Sequence, residues 1–181
     1  PIPVKLTNNM VTRNQAATAG SGLWFGGGVG NATLKHNTIA DNSAGVGQGM
    51  WVAKDYAVTG TNTIFAGHSA GVYADQDARV TLDKSLWHNN AKQSDGPGTV
   101  TKTNNLSGDP KFVNSAAGDY HIGPGSAALD RAVNANVTDD IDLQQRPQDS
   151  GYDIGADEYV YVPPPPTPTR THLYLPLNIK D

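Results

Sequence analysis

The 181-residue chain contains no cysteine, so neither a disulfide framework nor a thiolate metal site is open to it. Glutamate is almost missing as well: of 17 acidic residues, Glu158 alone is a glutamate. Glutamate suits helices and aspartate suits turns and caps, so the imbalance argues against a helical protein. No hydrophobic run reaches the ~20 residues of a membrane-spanning helix, and no secretory signal pattern is present. Basic residues are few, 13 against 17 acidic ones for a net charge of -4, and form no patch, which excludes nucleic acid as a partner. A Walker loop, a Ser-His-Asp order, zinc spacing and a dinucleotide fingerprint are all lacking. The sequence opens Pro1-Ile2-Pro3-Val4 without an initiator methionine, as expected of a processed product or a piece of something longer.

What is present is turn chemistry. Glycine (20) and proline (12) are frequent, and hydrophobic residues make up only 37%. With abundant Thr, Val and Asn, this composition predicts an all-β protein rich in turns. One triplet recurs: Gly22-Leu23-Trp24, Gly49-Met50-Trp51 and Gly71-Val72-Tyr73. A second element precedes each copy, at Asn9-Met10-Val11, Asn37-Thr38-Ile39 and Asn62-Thr63-Ile64, with a degenerate copy at Ser85-Leu86-Trp87. A further asparagine closes two of them, Asn14 and Asn42. Short alternating strands, such as Val4-Lys5-Leu6 and Val80-Thr81-Leu82, open the units. Three short strands per repeat of about 22 to 28 residues predict a right-handed parallel β-helix, with strands stacked at ~4.8 Å. A β-sandwich also has many short strands but does not repeat a three-part unit in register.

The repeat predicts an inward column of Val11, Ile39 and Ile64. It also predicts turn asparagines stacked from rung to rung. If Leu23, Met50 and Val72 point inward, then Trp24, Trp51 and Tyr73 form an outward ladder. Such a ladder is a sugar-stacking platform or a protein interface; the alternative is that the aromatics turn inward and fill the core. Asp55 and Asp77 each lie four residues past an aromatic of the ladder, which brings the two carboxylates ~5 Å apart on stacked rungs. They are the best catalytic candidates; the competing reading is two ordinary loop aspartates.

The sequence changes character after about residue 103, where the repeats end. The string Gly108-Asp109-Pro110-Lys111-Phe112, Asp119-Tyr120-His121, Gly125-Ser126-Ala127-Ala128-Leu129-Asp130, Asp140 to Arg146-Pro147 and Asp153-Ile154-Gly155-Ala156-Asp157-Glu158 follows in order. It resembles the C-terminal end of secreted bacterial right-handed parallel β-helix proteins that carry a choice-of-anchor Q domain. The resemblance implies a β-helix and an extracellular or cell-surface setting, and it carries no catalytic residues. Residues 104–159 are expected to cap the C-terminal end of the coil, with Phe112 plugging the core. Asp130, Asp140, Asp142 and Asp153 are expected to pair with Arg131 and Arg146 or to bind turn amides. Asp140, Asp142 and Asp153 also supply the hard oxygens a calcium ion takes, so calcium is the one cofactor considered.

Residues 160–171 form a proline-rich linker, with Pro163 to Thr169 as a stiff polyproline II spacer. Residues 172–181 follow as a terminal strand in which Leu173, Leu175, Leu177 and Ile179 alternate. This ending resembles the short Leu-Pro-Leu endings of some bacterial surface proteins, which implies anchoring or sorting. A lone strand needs a sheet edge to join, so self-association, even into filaments, or docking on a cell-envelope component is expected. The functional expectation is an extracellular structural or adhesive module. The alternatives are a carbohydrate-binding module and a polysaccharide lyase or glycoside hydrolase.

Overall fold

The computed structural model describes residues 3–43, 47–161 and 163. Each turn of the chain adds one strand to each of three parallel sheets. Sheet A contains β1 (Val4–Thr7), β4 (Gly30–Lys35), β7 (Tyr56–Thr61), β10 (Arg79–Asp83) and β13 (Thr99–Thr103). Sheet B contains β2 (Met10–Thr12), β5 (Thr38–Ala40), β8 (Ile64–Ala66), β11 (Leu86–His88) and β14 (Leu106–Ser107). Sheet C contains β3 (Leu23–Phe25), β6 (Gln48–Val52), β9 (Ala70–Ala74) and β12 (Lys92–Asp95). This is a parallel β-helix. Its rungs shorten along the chain, since the partners Val4, Ala32, Val58, Val80 and Val100 lie 28, 26, 22 and 20 residues apart.

The interior is a stack of inward columns. Leu34 and Leu82 come from sheet A, Ile39, Phe65 and Trp87 from sheet B, and Met50 and Val72 from sheet C. The expected column of Val11, Ile39 and Ile64 is out by one residue at its third member. Ile39 pairs with Phe65, while Ile64 pairs with Thr38 and points out of the coil into a second core. A one-residue shift moves a strand's whole apolar set to the other face, so the difference matters.

Two adjacent turn positions tolerate asparagine, which explains the shift. The first is left-handed and is filled by Asn8, His36, Asn62, Lys84 and Asn104. Asn, unlike most residues, enters that region readily. The second carries the rung-to-rung ladder, where Asn37 Oδ1 accepts from the backbone N–H and Nδ2 of Asn9, both at 3.0 Å. Asn62 holds the first position and Thr63 the second, so matching on asparagine misaligned that rung.

The other asparagine ladder is present and longer than its sequence signal. Asn42 Oδ1 accepts from Asn14 N at 3.0 Å, and Asn42 Nδ2 lies 3.3 Å from His68 Nε2. His68 Nδ1 and Asn90 Oδ1 are 3.1 Å apart. His68 therefore stands in an asparagine's place as a neutral imidazole, with a proton on Nδ1 and an acceptor at Nε2.

The coil runs past residue 103 to β14. Its final rung turns polar at one inward column, while Val100 continues the column of Val58 and Val80. Lys102 stands in register with Leu82, and its ammonium donates to Gln93 Oε1 (3.3 Å) and Ser94 Oγ (3.1 Å). The same ammonium lies 5.7 Å above the Trp87 ring. This closes an end of the apolar core with a charged side chain rather than a hydrophobic plug.

Residues 108–159 do not fold over that end, as expected from sequence, but lie along the outer face of sheet B. Ile64, Leu86 and Ala66 from the sheet meet Tyr120, Ile122, Ala128 and Ile154 from the outer layer in a second core. The layer reaches back several rungs: Ala156 N donates to Thr38 Oγ1 at 3.1 Å, and Asn62 exchanges two hydrogen bonds with the Val133 backbone. The physical reason is that sheet B is the one sheet with Ile and Leu on its outward face. That face needs cover, while Lys102 already closes the coil's end. Phe112, on β15 (Phe112–Asn114), is half-buried at the layer's rim and packs edge-on against Tyr120 of antiparallel β16 (Asp119–Ile122), ring centres 5.0 Å apart. It is not a plug of the coil.

Of the four aspartates, Asp140 and Asp153 hold turn amides rather than arginines, and Asp142 lies against His121. Asp140 Oδ1 accepts from Asp142 N and Gln144 N, and its Oδ2 accepts from Glu158 N. Asp153 accepts from the N–H groups of Asp130 and Tyr159. Arg146 pairs with Glu158, and among the described residues Arg131 has no ion pair. No helix among the described residues is long and apolar enough to cross a membrane. The linker beyond Pro163 and the assembly residues Leu173, Leu175, Leu177 and Ile179 lie outside the described residues.

Candidate functional site

Of the three outward faces, sheet B is covered by the outer layer, and sheet A presents threonines and charges. Sheet C presents the aromatic ladder. Trp24 pairs in register with Trp51, Trp51 with Tyr73, and Tyr73 with Asp95. Leu23, Met50 and Val72, one residue earlier, pack into the coil, so the strand pleat turns the aromatics outward as expected. They do not fill the core.

The three rings are not equivalent. Trp51 and Tyr73 stack on each other with centres 4.2 Å apart and an interplanar angle of 29°. Trp24 has no ring partner among the described residues and is 55% exposed. Its six-membered ring lies over Gly26, where an added Cβ would fall 2.5 Å from Cζ2. Beyond Gly26, Gly27 and Gly28 have positive φ and face open space, with no atom within 4 Å of where a Cβ would sit. The ladder thus ends in a bare indole at a side-chain-free margin.

Asp55 and Asp77 occupy equivalent places, as the spacing predicted. Each has φ near 62° in a turn closed by a hydrogen bond, Tyr56 N to Ala53 O or Ala78 N to Asp75 O. Both are exposed, and among the described residues neither carboxylate makes a hydrogen bond or ion pair. No described side chain positions either one as an acid or a base.

The calcium candidates are not brought together. Asp140 and Asp153 direct their carboxylates at backbone N–H groups, and burial pushes Asp153 up to about 7. Asp142 lies instead against His121, with Oδ2 2.9 Å from Nε2. His121, Asp142 and Asp157 form the one group of possible metal-ligating side chains among the described residues. Two of these, His121 and Asp157, were not singled out from sequence. The signal was the Asp119-Tyr120-His121 alternation, which puts Asp119 and His121 on the same face of β16.

The chain was compared with models of protein families, with curated proteins and with solved structures, and it matches none of them.

Proposed function

We propose that this protein is an extracellular adhesive module that holds polysaccharide on the aromatic face of sheet C. The observation that carries this reading is Trp24, a tryptophan more than half exposed at the end of an in-register aromatic ladder and followed by glycines. A solvent-facing indole gains little from folding, but its flat apolar face suits the axial C–H groups of a pyranose ring. Trp51 and Tyr73 continue the platform along the coil axis, so an extended chain has more than one ring edge to follow. The sheet, left uncovered by the described residues, supplies a rigid base, which lowers the entropy cost of binding. The extracellular setting rests on the resemblance of residues 108–158 to secreted β-helix proteins. The absence of any positioned acid–base partner at Asp55 or Asp77 favours binding over cleavage.

The test is affinity electrophoresis of the full chain through gels cast with neutral and uronic-acid polysaccharides. Retardation by at least one polymer, lost in Trp24→Ala, is expected. Equal mobility in every gel, or equal retardation of Trp24→Ala, overturns the reading. Release of new reducing or unsaturated ends that is lost in Asp77→Asn would replace it with an enzymatic one.

A further inference from the structure

A mixed set of metal-ligating groups gathers on the outer layer, away from the aromatic face. His121 comes from β16, Asp142 from the loop after Asp140, and Asp157 from the closing segment. One donor atom from each lies within 4.8 Å of the other two. His121 is held at both ring nitrogens: Nδ1 is 2.6 Å from Asp119 Oδ1, and Nε2 is 2.9 Å from Asp142 Oδ2. A carboxylate on the far nitrogen fixes the tautomer and ring orientation, as it does behind metal-bound histidines in general.

The independent observation is Asp157. Its residue is only 5% exposed, and its Oδ2 accepts from Ile122 N at 2.7 Å. Its other oxygen takes no hydrogen bond among the described residues. No lysine or arginine forms an ion pair with Asp119, Asp142 or Asp157 among the described residues. Asp119, Asp142 and the buried residue Asp157 thus set three carboxylates against the single imidazole of His121, which is ion-paired to two of them. A cation at this point removes that imbalance.

We propose that His121, Asp142 and Asp157 bind one divalent transition-metal ion of the zinc class, with Asp119 orienting the imidazole from behind. One imidazole and two carboxylates suit zinc, whose ligands lie at ~2.0–2.2 Å, better than calcium, which takes six to eight oxygens. The fourth position falls to water, since Asp142 lies at the exposed side. The ion ties three separate segments of the outer layer together, so it acts as a clasp on the layer that covers sheet B. His121 must be deprotonated at Nε2 to bind, so affinity falls as the pH is lowered.

The experiment is calorimetric titration of zinc chloride into the full chain after chelator treatment, with calcium chloride in parallel. Saturable binding of one zinc per chain is expected, with calcium much weaker. Asp142→Asn, at an exposed position, should weaken zinc at least tenfold while leaving the metal-free circular dichroism unchanged. Asp119→Asn should weaken it roughly ten- to a hundredfold without touching the ion. X-ray absorption should find one imidazole with oxygen ligands. No saturable zinc binding, zinc affinity unchanged in Asp142→Asn, or a preference for calcium overturns the proposal.

Discussion

Arg146 and Glu158, the only glutamate, form an ion pair with both side chains fully buried within the outer layer. Neither has a polar atom to spare. Arg146 also donates to the carbonyls of Asp139, Asp153 and Gly155, and Glu158 accepts from the N–H groups of Gln148 and Asp153. The pair thus organises the loop backbone of residues 139–158, which has almost no regular secondary structure to satisfy its own groups. Removing one partner of such a pair leaves an uncompensated buried charge. Glu158→Ala should therefore lower unfolding stability by about 3–5 kcal/mol in urea melts. A loss under ~1 kcal/mol would mean that the layer does not depend on the pair.

The two cores give a second contrast. Phe65 lies wholly inside the coil, stacked on Trp87 with ring centres 4.8 Å apart, whereas Phe112 is only half-buried at the rim of the outer layer. Phe65→Ala should cost about 3–5 kcal/mol and Phe112→Ala clearly less. Chemical denaturation of both variants checks the order. The reverse order would put the plug back at Phe112 and undo the assignment of sheet B's outer face as the layer's seat.

What was legible in the sequence was the repeat and its chemistry. The Gly-aliphatic-aromatic triplets fall in register at Leu23, Met50 and Val72, because a bulky aromatic beside a small residue marks one pleat unambiguously. Asparagine was a poorer guide: Asn62 and Asn37 look alike in sequence yet occupy neighbouring turn positions with different roles. The polar strand β12 was missed because Lys92 to Asp95 carries no apolar signal; its place is fixed by pairing with β9 and by the Lys102 bonds to Gln93 and Ser94. The seat of the outer layer was not legible for a related reason. Ile64 read as coil interior until register placed it, with Leu86 and Met10, on the outside. Lys102 and His121 act through neighbours distant in sequence, at Trp87 and Asp142, and no local pattern announces such pairs.

Acid should act through the ladder histidine. Burial, countered by the Asn90 hydrogen bond and the charge of Asp41, lowers His68 from 6.5 to about 4. Between these values the unfolded chain binds more protons, so the contribution is complete above pH 6.5 and shrinks as the pH falls towards 4. At pH 5 the loss is about 2 kcal/mol, from 1.36 kcal/mol per pKa unit. The raised Asp153 and Asp157 act in the opposite sense, so the total dependence of the wild type is muted. A comparison with His68→Asn isolates the histidine, because asparagine matches Asn42 and Asn90 in the ladder. Between pH 7 and pH 5 the variant should lose about 2 kcal/mol less than the wild type in parallel urea melts. Equal losses would mean that His68 does not titrate with folding.

The last relationship concerns the end of the coil. β13 and β14 present unpaired backbone groups on a final rung, the kind of edge that invites a second chain. Lys102 stands there in the column that Leu6, Leu34 and Leu82 occupy on other rungs, so its position is a core position by register and a charged one by sequence. A neighbouring coil docking on this end would have to bury that ammonium and break its bonds to Gln93 and Ser94. Burying an unpaired charge costs more than one added rung gains. Lys102→Leu removes this barrier and continues the apolar column to the surface. The variant should remain folded, because Leu fits the column above Leu82, yet should associate in a concentration-dependent manner. Lys102→Gln, still polar, should sediment as the wild type does. Analytical ultracentrifugation of the three proteins decides. If Lys102→Leu sediments like the wild type at every concentration, the lysine is not what keeps this edge from pairing.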